Sequence, residues 1–191
     1  MTTHSEVDAP VFQEKDGLLV VEIESAPLAG VFSREASYDG IWNEWVAETE
    51  HDGYTGECYY RWGGPDVKWN PGSGILRYSF HIDNPGRYLF AIRNRHDNED
   101  KSESNDAFVR VDGGQWYKTK SRVHRQWTWS TWYERTHELS EPCWHEFEAG
   151  VHTIEICGRS NSFCLDRFFL AKEGVDGEDV ALPQSDLRGS A

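Results

Sequence analysis

ILRYSFHIDNPGRYLFAIRNR, residues 75–95, reads as strand, turn, strand. In ILRYSFHI (75–82), Leu76, Tyr78, Phe80 and Ile82 alternate with Arg77, Ser79 and His81, the period-two pattern of a half-buried strand. Asn84-Pro85-Gly86 supplies turn chemistry, and RYLFAIRNR (87–95) resumes the alternation. Similar runs lie on both sides: LLVVEIESA (18–26), ECYYRW (57–62), AFVRVDG (107–113), CWHEFEA (143–149), HTIEICG (152–158) and FCLDRFFLAK (163–172). Asp112-Gly113-Gly114 and Ala149-Gly150 punctuate them. Strands in this number must bury two faces against each other, so the sequence predicts an all-β sandwich or jelly roll of about 8 to 10 antiparallel strands. The segment from Phe32 to Trp45 is the best candidate for a helix or a long loop. The composition divides the chain into an N-terminal extension (1–13), one β-domain (14–172) and a C-terminal tail or linker (173–191) rich in Gly, Asp, Glu and Ser.

The 191 residues suit a single domain and exclude a large multidomain enzyme. Lys and Arg number 19 against 33 Asp and Glu, and a formal charge of -14 repels nucleic acid phosphates and anionic lipid. No apolar stretch approaches the roughly 18 to 20 residues that a membrane span needs, and the N-terminus has no secretory-signal pattern. Nine Trp in a chain of mean hydropathy -0.71 imply that some rings work at the surface.

Glu22 and Glu24 project from one face of the first strand, and Asp166 interrupts the apolar run FCLDRFF. Solvent, an Arg partner such as Arg167, or a hard cation would relieve them, and calcium accepts several carboxylate oxygens at once. The four cysteines show no CxxC spacing. Cys157 and Cys164 flank a six-residue loop between two expected antiparallel strands, which predicts a disulfide, with Cys58 and Cys143 as a second pair or as buried thiols. Such bridges favour an oxidising compartment. No GxSxG, HExxH, phosphate loop or dinucleotide fingerprint occurs.

In order along the chain, VEIES (21–25), GYTGECYY (53–60), PGRYLFAIRNR (85–95), FVRVDGGQW (108–116), QWTWSTW (126–132), GVHTIEI (150–156) and CLDRFFL (164–170) resemble the motifs of carbohydrate-binding modules of families 6 and 35. That resemblance implies a jelly roll with a structural calcium on Glu22, Glu24 and Asp166. It also implies a polysaccharide or oligosaccharide ligand stacked on loop aromatics, since a flat ring covers the C-H patch of a pyranose while polar neighbours take its hydroxyls. The family's stacking Trp falls on Trp127 or Trp129, and Tyr38, Trp42 and Trp45 compete for the second ring. Trp116 lies near a loop a glycan could reach, whereas Trp62, Trp132 and Trp144 sit in or beside strand-like runs and are expected in the core. Where the family often has a sugar-contacting Asn, two residues before the closing Asp, this chain has Cys164, so Asn161 or Arg159 would take that role from the neighbouring turn. The expected protein is a non-catalytic module appended to a carbohydrate-active enzyme, extracellular or periplasmic. Two alternatives are a small jelly-roll lyase or hydrolase using YERTHE (133–138) with Arg122-Val123-His124-Arg125, and a calcium-stabilised adhesion domain.

Overall fold

A computed structural model of the chain describes residues 10–26, 28, 45–136 and 138–189. Two sheets face each other. The first has seven strands in the order β1 (Val11–Gln13), β5 (Leu76–Ile82), β12 (Gly150–Cys157), β7 (Asp106–Val111), β8 (Tyr117–Lys120), β9 (Trp132–Glu134) and β10 (Ser140–Pro142). The second runs β11 (Trp144–Phe147), β6 (Gly86–Arg95), β13 (Cys164–Lys172), β4 (Tyr59–Trp62) and β3 (Trp45–Glu48), with β2 (Leu18–Glu22) also paired to β13. The pairs are antiparallel except β1 with β5, which is parallel. Among the described residues there is no α-helix, only a single 3-10 turn at Ile23–Ser25. The chain is an all-β sandwich, as its alternation predicts.

The two runs of residues 75–95 are not hydrogen-bonded to each other. β5 lies in the seven-stranded sheet and β6 in the six-stranded one, so the Asn84-Pro85-Gly86 turn carries the chain across the sandwich. Chain-consecutive β10 to β13 likewise alternate between sheets. The alternating apolar sides of these strands meet in one core, where Phe168 packs against Tyr78 and Phe90 with ring centroids 5.0 and 5.7 Å away.

The same crossing corrects the cysteine expectation. β12 and β13 belong to opposite sheets, so the loop between Cys157 and Cys164 is not a hairpin and their backbones are not register partners. All four cysteines are free thiols; Cys157 accepts a hydrogen bond from Gly72 N at 3.1 Å, and Cys164 donates to Ser162 O at 3.6 Å. Burial pushes the thiols of Cys157 and Cys164 up to about 12.

β13 is buried over its first eight residues, on both faces. Its inner face joins the main core, and on its outer face Phe169 and Ala171 form a second apolar cluster with Val20 and Ala91. Trp129 and Leu182 cover that cluster. The segment whose composition suggests a tail runs along β2 and β1: Ser185 N donates to Val20 O, Gln13 N to Asp186 O, and Arg188 N to Val11 O.

Candidate functional site

The three acids of the sequence reading come together where β2, β13 and the turn before β4 meet. Thr55 ties two of them: its backbone N donates to Asp166 Oδ1 at 2.8 Å and its hydroxyl to Glu22 Oε2 at 2.7 Å. Glu57 N donates to Glu24 Oε1 at 2.7 Å. Gly56 is required there, because it takes φ +67° and a Cβ would collide with Glu24 Oε1. Two arginines answer part of the charge, Arg167 pairing with Glu22 and Arg93 with Asp166. Glu24 Oε2 is buried with no hydrogen-bond partner. Burial raises the proton affinity of all three carboxyls, and their mutual repulsion adds to the effect at Glu24. Among the described residues, no group of three or more His, Cys, Asp or Glu side chains is arranged as a metal cage.

Arg93 connects this cluster to the tryptophans, since its guanidinium lies 5.5 Å from the centre of the Trp127 ring. The segment carrying them, 126–132, is laced to the edge of β6. Thr128 and Asn94 exchange backbone bonds of 3.0 and 2.9 Å, Ile92 N donates to Thr131 Oγ1 at 2.9 Å, and Asn94 Nδ2 donates to Ser130 O at 3.1 Å. With the polar residues holding the strand edge, the indoles of Trp127, Trp129 and Trp132 line a cavity of about 590 Å³ together with Thr128, Ser130 and Glu178. All three rings are half-buried. Trp127 donates its indole N–H to Asp52 O (3.1 Å) and meets Tyr59 edge-on at 5.2 Å; Trp129 donates to Glu178 O (2.8 Å) and rests on Phe169 at 4.9 Å. Arg122 lies 4.2 Å over the centre of Trp132.

The remaining candidates separate. Trp45 is a core residue, 5% exposed, with its N–H on Gly74 O and its ring edge-on to Trp62; it starts β3 and cannot present a face to a ligand. Tyr38 and Trp42 lie outside the described residues, as does 32–44 of the helix-or-loop segment. Trp62 is in the core as expected, but Trp132 and Trp144 are half-buried, the latter under Arg87 at 4.5 Å. Trp116, under Arg110, and Arg159, paired with Asp106, meet instead in a groove of about 770 Å³ on the outer face of the seven-stranded sheet. Trp69 also lines that groove at 87% exposure, and sequence reasoning missed it; its setting in the turn-rich KWNPGSG (68–74) was the available signal. Asn161 spends its side-chain amide on Gly63 O and Gly64 O, beside a polar pocket that also takes in His51, Asp97 and Cys164.

Of the residues of the lyase alternative, His137 lies outside the described residues, and the described ones do not share a cleft. Tyr133 is buried, bonded to His145 at 2.6 Å, and burial holds its phenol well above the usual range. Arg122 is stacked on Trp132, and His124 neighbours His96 instead, at 5.7 Å.

No family model matches the sequence, and no curated protein does. Solved structures do match. The C-terminal family 6 carbohydrate-binding module of a marine laminarinase from Zobellia galactanivorans superposes with a TM-score of 0.50 at 14% identity, over 81% of this chain and 99% of that one. The fold is that of the carbohydrate-binding modules. A mannanase from Podospora anserina that joins a GH26 enzyme to a family 35 module matches with a TM-score of 0.53 at 17% identity over 86% of this chain, and a ruminal GH26 endo-β-1,4-mannanase with 0.50 at 14% over 87%. This chain spans under a third of either mannanase, 29% and 28%. Among the described residues, no helix is long and apolar enough to cross a membrane.

Proposed function

We propose that the chain is a non-catalytic module that binds polysaccharide or oligosaccharide, with the cavity of Trp127, Trp129 and Trp132 as its sugar platform. One observation carries this reading: three indoles from a single seven-residue segment line one cavity among hydroxyl groups, and two of them are fixed by N–H bonds to backbone carbonyls. A ring fixed before the sugar arrives loses little freedom on binding. The apolar faces then cover sugar C-H groups while Thr128 and Ser130 meet hydroxyls. The module-bearing mannanase supports a role as an appendage that keeps an attached enzyme close to its polymer, outside the cell. Affinity electrophoresis across a panel of polysaccharides tests it. Retardation by at least one glycan, lost in Trp129→Ala, is the expected result; release of new reducing ends or unsaturated products would show an enzyme instead.

Calcium at Glu22, Glu24 and Asp166 forms the second part of the proposal. It is supported by the unpartnered buried oxygen of Glu24 and by three adjacent carboxyls whose charge two arginines only partly offset. The ion would supply charge compensation, pinning β2 to β13, and no chemistry. A melting temperature that rises with calcium over EDTA is expected, and an unchanged one refutes the ion site while leaving the glycan reading in place.

A further inference from the structure

Past β13 the chain turns back over the outer face of the six-stranded sheet. Gly177 lies directly on the Phe169 ring, where any side chain would collide, and Arg167 reaches out of β13 to bond Val180 O (3.1 Å) and Leu182 O (3.0 Å). Asx-type bonds from Glu178 N to Asp176 Oδ1 (3.0 Å) and from Ala181 N to Asp179 Oδ1 (2.9 Å) shape the segment between these anchors. Its position is therefore set by the sheet beneath it. Glu178 sits at the middle: its carbonyl holds the Trp129 indole, and the residue is exposed and lines the tryptophan cavity.

Among the described residues lining that cavity, Glu178 is the one with a charge. The others offer indole faces, hydroxyls, apolar side chains and strand backbone. Resting on the platform reading above, we propose that the Glu178 carboxylate is a ligand-binding residue that accepts sugar hydroxyls, and that the cavity therefore takes a neutral glycan and turns away an acidic one. A carboxylate accepts two O–H donors at once, and such charge-assisted bonds are the stronger kind. A uronate or sulfate placed there would face Glu178, with Asp176 and Asp179 close by in the chain; of the cations on the indoles, Arg93 is paired with Asp166 and Arg122 is stacked on Trp132, and neither is part of the lining.

Glu178 suits a direct test because its backbone carbonyl, which orders Trp129, survives any side-chain change. Affinity gels containing glucomannan, xylan, laminarin or polygalacturonate are run with the wild-type chain, Glu178→Gln, Glu178→Lys and Trp129→Ala, with melting temperature as a fold control. The expected result is retardation of the wild type by a neutral glycan and not by polygalacturonate, and a roughly tenfold loss of that affinity in Glu178→Gln at unchanged melting temperature. Glu178→Lys should gain retardation in polygalacturonate. If both Glu178 variants bind as tightly as the wild type while Trp129→Ala does not, the Glu178 role is overturned and the platform stands. Wild-type binding to polygalacturonate alone also overturns it. Undiminished binding by Trp129→Ala removes the platform itself, and this inference with it.

Discussion

The outer faces of the two sheets are built differently. The six-stranded sheet has an apolar patch there, Val20, Ala91, Phe169 and Ala171 under Trp129 and Leu182, and beside it the buried ion pairs Arg167–Glu22 and Arg93–Asp166. The seven-stranded sheet is a ladder of charge: Glu155 is held between Arg77 and Arg110, Lys118 between Asp106 and Glu134, and Lys120 pairs with Glu134. Each face carries tryptophans, yet among the described residues only the covered one has two of them fixed by indole N–H bonds and packing. The open face leaves Trp69 to solvent. Covering a sheet with aromatic residues uses apolar burial to hold a ring in place, and a ring held in place is what a weakly interacting sugar requires.

The largest effect should come from breaking the buried pair behind the covered face. Asp166→Ala leaves the Arg93 guanidinium without its carboxylate, and removing one partner of a buried pair costs about 3–5 kcal/mol. Because Arg93 also lies over Trp127, glycan retention should fall in the same variant. Urea unfolding gives the first number and affinity electrophoresis the second; a loss below 1 kcal/mol would mean that the Trp127 ring and solvent already satisfy the Arg93 guanidinium.

Trp129→Ala comes next. It removes the lid over Phe169 and should cost about 2–3 kcal/mol, less than a fully buried Trp because the ring is half-exposed, and it should abolish measurable retention. Stability and binding fall together on this face, which is the signature of a platform that is also structure.

How much of this was legible beforehand follows the same divide. Alternation in residues 75–95 marked both strands, but not that the turn between them changes sheets, because period two records which side is buried and not against which partner. That ambiguity led to the expectation of a Cys157–Cys164 bridge. Glu22, Glu24 and Asp166 were found from spacing and from one acid in an apolar run. Trp127 and Trp129 were found as rings in a polar stretch, whereas Trp45 looked the same and proved to be core. Glu178 was hidden by composition. The apolar run of β13, broken by Asp166 and Arg167, was read as one more half-buried strand, yet it is buried on both faces, and the segment that covers it is the one that reads as a tail.

The carboxyl groups separate the faces by pH. Glu22, Glu24 and Asp166 hold protons more tightly folded than unfolded, so between their ordinary values (4.5, 4.5 and 3.8) and the raised folded ones the native state binds more protons, and their contribution to stability declines as pH rises through that window. Glu134, despite burial, is lowered by Lys118 and Lys120, so its contribution is present above 4.5 and is lost as pH falls. Glu24→Gln should therefore raise the melting temperature at pH 7.5 in EDTA by roughly 2–4 °C, about 1 kcal/mol, and have less effect near pH 4. With calcium present the sign should reverse if Glu24 ligates the ion. A variant that melts lower in EDTA as well would show that the Glu57 bond outweighs the repulsion.

The smallest effect should be at Trp69. At 87% exposure its ring covers almost nothing, so Trp69→Ala should change stability by less than about 0.5 kcal/mol. If the fixed rings of the covered face are the sugar platform, retention should also change less than about twofold, because an unfixed indole loses on ordering much of what it gains by stacking. Affinity electrophoresis of Trp69→Ala beside Trp129→Ala makes the comparison in one gel. A Trp69 variant that loses retention while Trp129→Ala keeps it would move the sugar to the groove shared with Trp116, and would mean that exposure of the ring, more than its prior fixation, decides which tryptophan binds.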